Sequence, residues 1–203
     1  TGPAPEQVEG GAAHGRRATR EAALPAPRAL PIDRFEIARP ERRQFGALEF
    51  LSGLTLASDY AGFGGLSGLL LRDEGRRLLA VSDAGDWFAA TIERRGGALS
   101  GLSDLRTAPM LGPRGELMRR TGRHDAEALA LGPDGHVYVA YERVHEIWRY
   151  AMPRQGLAAR AQAVAAPAET KSLSANKRLA ALAAPPAGHP LAGLLIALAA
   201  RPS

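Results

Sequence analysis

Two stretches of this chain are copies of one another. Residues 66–83 read LSGLLLRDEGRRLLAVSD and residues 126–142 read AEALALGPDGHVYVAYE. Aligned, Leu69 meets Leu129, Gly75 meets Gly135, and Asp83 meets Glu142 after one inserted residue. Each copy is an apolar run, an acid-glycine pair (Glu74-Gly75, Asp134-Gly135) and a second apolar run that ends in a carboxylate. An acid-glycine pair between two apolar runs signals a hairpin, because glycine supplies the positive φ that a tight turn requires. A degenerate third copy, LAALAAPPAGHPLAGLLIALAA, covers Leu179 to Ala200. The matched positions Ser67, Glu127 and Ala180 lie 60 and then 53 residues apart. Periods of about fifty residues, each holding several strands, are what propeller blades produce. The spacing predicts an all-β fold, a β-propeller with about two to three blades present; three unrelated hairpins in a sandwich are the alternative. Closing a propeller takes ~4–8 blades, so the chain reads as a partial propeller, truncated at its C-terminal side.

The repeats lie in a domain expected over residues 32–203. Residues 1–31 are rich in Ala, Gly, Pro and Arg without apolar periodicity. Such a composition buries too little surface to offset its ordering entropy, and it predicts a disordered arm. Asp33 to Ala38 (DRFEIA) alternates like a half-buried strand, and Ala47 to Ala57 reads as a longer strand bent at Gly53. No apolar run is long enough to span a bilayer. The chain has no cysteine, which excludes disulfides, zinc-thiolate sites, iron–sulfur clusters and thiol nucleophiles. The first residue is Thr1, so either a leader has been removed or the sequence starts within a longer chain. Net charge is +5, and all basic residues except Lys171 and Lys177 are arginines, scattered as pairs along the chain. Nucleic-acid binding calls for basic residues clustered on one element with aromatics between them, so no nucleic-acid partner is expected.

Chemistry is expected at the ends of the repeated strands, where Asp83, Asp125, Glu127 and Glu142 stand. In a propeller, strand ends of successive blades gather around one axis, so these carboxylates would converge. Carboxylates without thiols or a histidine cluster suit a hard cation, calcium before magnesium. The alternative is that they are ordinary turn formers at solvated edges. Arg143 and His145, just past Glu142, are candidates for holding an anionic oxygen, or for an exposed charged strand edge. The glycine-dense stretch Gly62 to Gly68 is neither a phosphate-binding loop nor a nucleophile elbow. Ser67 as a nucleophile would need His124, His136 or His145 as its base. Trp87 and Trp148 are expected to anchor packing between strands.

The run FGGLSGLLLRDEGRRLLAVSDAGDW followed by RHDAEALALGPDGHVYVAYERVHEIWRY resembles the phytase-like family named for "esterase-like activity of phytase". The shared motifs are Phe63 to Leu69, Ser82-Asp83-Ala84-Gly85, Asp125-Ala126-Glu127-Ala128-Leu129 and Glu142-Arg143, over about residues 33–183. The resemblance implies an exported, periplasmic or extracellular β-propeller related to the calcium-dependent phytases. It implies calcium as cofactor and a small-molecule ester substrate, possibly phosphorylated, acted on by a monomer without a membrane span. On the matching positions it makes Asp83, Asp125, Glu127 and Glu142 candidate calcium or polar-site ligands and Arg143 a candidate phosphate contact; Asp125, Glu127 and Glu142 are the expected catalytic residues, and His145 joins Arg143 as an expected substrate contact. The family's third motif departs here: its glycine has become Arg178 and its acid Ala180. The expected function is therefore ester hydrolysis by cation-activated water, with a non-catalytic ligand- or calcium-binding propeller as the alternative.

Overall fold

The computed structural model describes residues 17–122, 124–142, 144–164, 177–185, 188 and 195–200. The N-terminal part forms short strands: β1 (Ala22–Ala23), β2 (Arg28–Ile32), β3 (Gln44–Phe45), β4 (Leu48–Glu49) and β5 (Gly53–Ala57). The first repeat then builds β6 (Leu66–Arg72), β7 (Arg77–Ser82), β8 (Asp86–Arg95) and β9 (Ala98–Pro109). The second builds β10 (Ala126–Leu131), β11 (Val137–Tyr141), β12 (Glu146–Tyr150) and β13 (Ala161–Val164), with a one-turn helix α1 (Met152–Gln155) before the last. A third sheet holds β14 (Lys177–Ala183) and β15 (Leu195–Ala200). The chain is thus mainly β, built from several antiparallel sheets, and a closed propeller is not seen among the described residues.

Within each repeat the strands run up and down in sequence order, β6-β7-β8-β9 and β10-β11-β12-β13. The acid-glycine pairs sit in the first turn of each sheet, with Gly75 at φ +78° and Gly135 at φ +78°. Their amides bond back to Arg72 (3.0 Å) and Gly132 (2.9 Å), closing the turns. The strands alternate apolar side chains onto both faces, because each sheet is covered on both sides. One face of the first sheet (Leu79, Val81, Trp87, Met110) packs on one face of the second (Leu129, Val137, Val139, Tyr141, Trp148, Tyr150). Trp87 is fully buried there and meets Tyr150 edge-on at 5.1 Å. Burying one such side chain stabilises the fold by about 1.5–3 kcal/mol. The opposite face of the second sheet (Ala128, Ala140, Ile147) packs toward Leu182 of the third.

The sheets also meet along their first strands. Gly68 in β6 lies so close to β10 that an added Cβ would stand 3.1 Å from Leu129 Cγ and 3.0 Å from Val81 Cγ2. Glycine is required there by close approach of two strands, not by its dihedral angles.

One strand expected in the N-terminal part does not form, and the arm before it is described only in part. Of the arm expected over residues 1–31, residues 1–16 lie outside the described residues, whereas residues 17–31 are tied to the sheets. β1 caps the exposed edge of β9, where Arg106 bonds Glu21 at 2.7 Å, and β2 pairs with β5. An unpaired sheet edge offers backbone partners to a segment whose side chains offer little. No strand forms at Asp33 to Ala38. There Glu36 is held by Arg39 (2.8 Å) and Arg42 (3.1 Å), and Phe35 packs on Phe45 and Phe50, so local contacts curl the segment. The stretch from Ala47 to Ala57 is two strands, β4 and β5, with Gly53 opening the second.

Candidate functional site

The three sheets share a defect in the same place. Strand pairing slips between Leu66 and Gly68, between Ala126 and Ala128, and between Leu179 and Ala181. The skipped residues are Ser67, Glu127 and Ala180, the positions that the repeat spacing aligns. A bulge of this kind re-aims the extra residue and is common beside functional sites. Immediately before each of the first two bulged strands comes a residue in the left-handed region, Gly65 at φ +57° and Asp125 at φ +74°. Aspartate tolerates that conformation better than most side chains.

Backbone hydrogen bonds stitch these strand ends together. Asp83 N–H donates to the Gly65 carbonyl (2.9 Å) and Glu142 N–H to the Asp125 carbonyl (3.1 Å), the same bond in each repeat. Asp125 N–H donates to the Asp83 carbonyl (2.8 Å) and so joins one sheet to the next. Ser67 completes the join by donating its hydroxyl to the Ala126 carbonyl.

On this frame Asp125, Glu127 and Glu142 come together. Each offers a carboxylate oxygen, the three oxygens lie within 4.8 Å of one another, and all three residues are half-buried. They come from the residue before β10, its bulge, and the residue after β11. The first repeat carries Gly65, Ser67 and Asp83 at the matching places, and the third carries Arg178 and Ala180 in place of Asp125 and Glu127. Asp83 stands apart from the three and is exposed. A side chain at Gly65 would collide with the Asp83 carboxylate, so glycine there leaves room for it. His145, half-buried in the turn after Glu142 at φ +48°, donates its N–H to the Glu142 carbonyl at 3.3 Å. Its Nδ1 is buried without a hydrogen-bond partner among the described residues. Arg143 lies outside the described residues.

Beside the carboxylates opens a cleft of about 430 Å³, lined by Arg17, Asp83, Ala84, Arg119, His124 and Asp125. The sequence reading did not find Arg17 or Arg119. Arg119 sits on a single 3-10 turn, Met118–Arg120, and its guanidinium bonds Asp86 Oδ1 at 2.8 Å and the Ala18 carbonyl at 2.8 Å. Arg17 approaches the other oxygen of Asp86 at 3.8 Å. Asp86 is fully buried, and its pKa lies above the usual carboxylate value because burial outweighs the pull of Arg119 and then of Arg17. The available signal was the second aspartate of Ser82-Asp83-Ala84-Gly85-Asp86, which opens a buried strand where an acid needs a partner. Its partner, 33 residues on, carried no pattern of its own.

Ser67, Trp87, Trp148 and His136 do not line this cleft. Ser67 spends its hydroxyl on the sheet-to-sheet bond, and Trp87 and Trp148 pack in the shared core. His136 lies at the far end of the second sheet, beside Asp134.

Among known protein families, the model described as phytase-like, esterase-like activity of phytase, matches residues 61–202. The match takes in all three carboxylates and the cleft residues from Asp83 onward. No curated protein and no solved structure matches the chain.

Proposed function

This chain belongs to the phytase-like family with esterase-like activity, and from that premise we propose that Asp125, Glu127 and Glu142 form the centre of an ester-hydrolysing site. The observation that carries the proposal is the meeting of these three carboxylates at a backbone bulge on the rim of a cleft. The donor set is all oxygen and partly shielded from water, which fits a hard divalent cation of the calcium type. Such a cation, when bound, supplies Lewis-acid polarisation of an ester oxygen and a more acidic water.

The chain's own residues contribute position and charge. Asp125, locked by two backbone hydrogen bonds at a left-handed φ, has little freedom to swing away. Glu127 is fixed by its bulge. Arg17 lines the same cleft as Asp83 and Asp125, with a guanidinium suited to a phosphoryl or carboxylate group of the substrate. Arg119 is held by Asp86 and Ala18, so its position is set before substrate arrives, which lowers the cost of orienting an anion. Arg143 and His145 remain candidate substrate contacts. Asp83 lines the same cleft as Asp125.

The same reading takes the three sheets as successive blades of a propeller. It is supported by the shared bulge, the up-and-down strand order and the packing of β6, β10 and β14 against one another in sequence. The family resemblance brings calcium and an exported location into the proposal as further expectations. A second reading, ligand or calcium binding without turnover, is favoured by one fact: the acids are concentrated in one repeat, with Arg178 and Ala180 in the third.

Hydrolysis of a chromogenic phosphate monoester and a chromogenic carboxyl ester, each with calcium and with chelator, separates the readings. Cation-dependent turnover that falls at least a hundredfold in Glu127→Gln supports the hydrolase. Calcium binding that is lost in the same variant, with no turnover of either ester, supports the binding protein.

A further inference from the structure

Of the large apolar side chains that stand exposed among the described residues, six fall between residues 30 and 51, ahead of the family match: Leu30, Ile32, Phe35, Ile37, Leu48 and Leu51. Local contacts gather them into one patch. Phe35 packs edge-on against Phe45 with ring centroids 5.0 Å apart, and tilted against Phe50 at 5.7 Å. A Cβ at Gly53 would meet Ile32 at 3.2 Å and the Phe50 ring at 3.6 Å, so Ile32 joins the same cluster. Leu30 stands two residues before Ile32 on the same face of β2, and Leu48 pairs with Phe45 across the β3–β4 hairpin. Ile37 lies two residues past Phe35, and Leu51 directly follows Phe50. The patch is fastened to the body of the fold, where β2 pairs with β5 along its length and the Leu99 N–H donates to Ser52 Oγ at 3.0 Å.

The six side chains are between 37% and 87% exposed, on the order of 700 Å² of apolar surface, against ~300–600 Å² for the largest patch on an ordinary monomer. A stable protein pair covers ~800 Å² on each partner, so one such patch set against another makes an interface of standard size. Charge selects the partner. Residues 28–51 hold five arginines, four acids and no lysine, which leaves the surface nearly neutral. Arg39 and Arg42 are engaged by Glu36 at 2.8 and 3.1 Å, and Arg42 and Arg43 lie over the Phe45 and Phe50 rings at 4.6 and 5.5 Å. An anionic membrane surface calls for an excess of uncommitted basic side chains. A second copy of the chain calls instead for a surface whose charges balance locally, so that like meets like without repulsion. We propose that this patch is the two-fold interface of a homodimer, with Phe35, Ile37 and Leu48 of each copy packed against the other. The dimer departs from the monomer that the family resemblance implies, and it uses a part of the chain that the family match does not cover.

The test is sedimentation velocity of the full chain from about 1 to 100 μM, since interfaces of this size have dissociation constants that are micromolar or tighter. A concentration-dependent passage from monomer to dimer is expected. Ile37→Asp and Leu48→Asp should each weaken it at least tenfold, because each buries an unpaired charge at the interface. Leu69→Asp, exposed on β6 outside the patch, should leave it unchanged. All three side chains are exposed, and circular dichroism verifies that the variants fold. Monomer throughout the range overturns the proposal, as does a dimer that neither patch variant weakens or that Leu69→Asp weakens equally. A monomer that co-floats with vesicles of equal parts phosphatidylcholine and phosphatidylglycerol, and loses that binding in Ile37→Asp, overturns it in favour of a lipid surface. None of these outcomes bears on ester hydrolysis, whose three carboxylates lie on other strands.

Discussion

Asp86 lies out of water between two guanidinium groups, and its chemistry sets the behaviour of the cleft wall. Its pKa is raised in the folded chain, so the folded state holds this proton more tightly than the unfolded state does. The associated stability is present at pH below the unfolded value and is lost as pH rises through the folded one. The difference in unfolding free energy between wild type and Asp86→Asn should therefore change across that window, from about pH 4 upward; urea melts at a series of pH values read it directly. At neutral pH, Asp86→Ala leaves Arg119 largely buried without its partner and should cost about 3 kcal/mol. A loss below about 0.5 kcal/mol in the same melts would mean that Arg119 finds another partner. Gly65 makes a second test at this scale. Gly65→Ala adds a Cβ at a left-handed φ and against the Asp83 carboxylate, and should destabilise by about 1–2 kcal/mol. At the scale of residues the sequence was legible where it repeated. Asp125, Glu127 and Glu142 could be singled out because they end or interrupt copied strands. Asp86 and Arg119 could not, because an ion pair between a strand start and a distant turn leaves no periodic trace. Arg17 fell in a segment whose composition alone argued for disorder.

At the level of strands, the shared bulge explains why the repeats align as they do. The matched positions Ser67, Glu127 and Ala180 are all the residue that the strand register skips in a first strand. In the first repeat that residue stitches two sheets; in the second it brings an acid to Asp125 and Glu142. Ser67→Ala should therefore cost about 1 kcal/mol of stability, the worth of one hydrogen bond, and leave turnover within about twofold once the protein is folded. A loss of turnover by several orders of magnitude would instead mark Ser67 as a nucleophile. Gly68→Val forces a branched side chain between β6, β7 and β10, and should destabilise by about 3 kcal/mol or prevent folding. The hairpins themselves were readable from acid-glycine turns between apolar runs. The N-terminal strands were not, since alternation in Asp33 to Ala38 is overridden by Glu36 bonding two nearby arginines and by three phenylalanines gathering locally. Strand alternation predicts a sheet only where a partner strand is at hand.

Across the whole molecule, the first two sheets share one core, and β14 continues the stack beside β10. This arrangement puts the residue before β10, its bulge and the residue after β11 at one edge, with Arg17 and Arg119 lining the cleft that Asp125 also lines. Membership of the phytase-like family was legible because its motifs fall on those same strand ends; the two arginines of the cleft were not, because the fold brings them there. The central claim is that Asp125, Glu127 and Glu142 act together as a cation-holding centre. A thermal melt of the chain in saturating calcium and in chelator, repeated on Glu127→Gln, tests it most directly. Calcium at about a hundred times its dissociation constant adds about 2.7 kcal/mol to the folded state, a rise in Tm of roughly 5–10 °C for a chain of this size. The account predicts that rise in the wild type and its loss in Glu127→Gln; no rise in the wild type, or an equal rise in the variant, would contradict it.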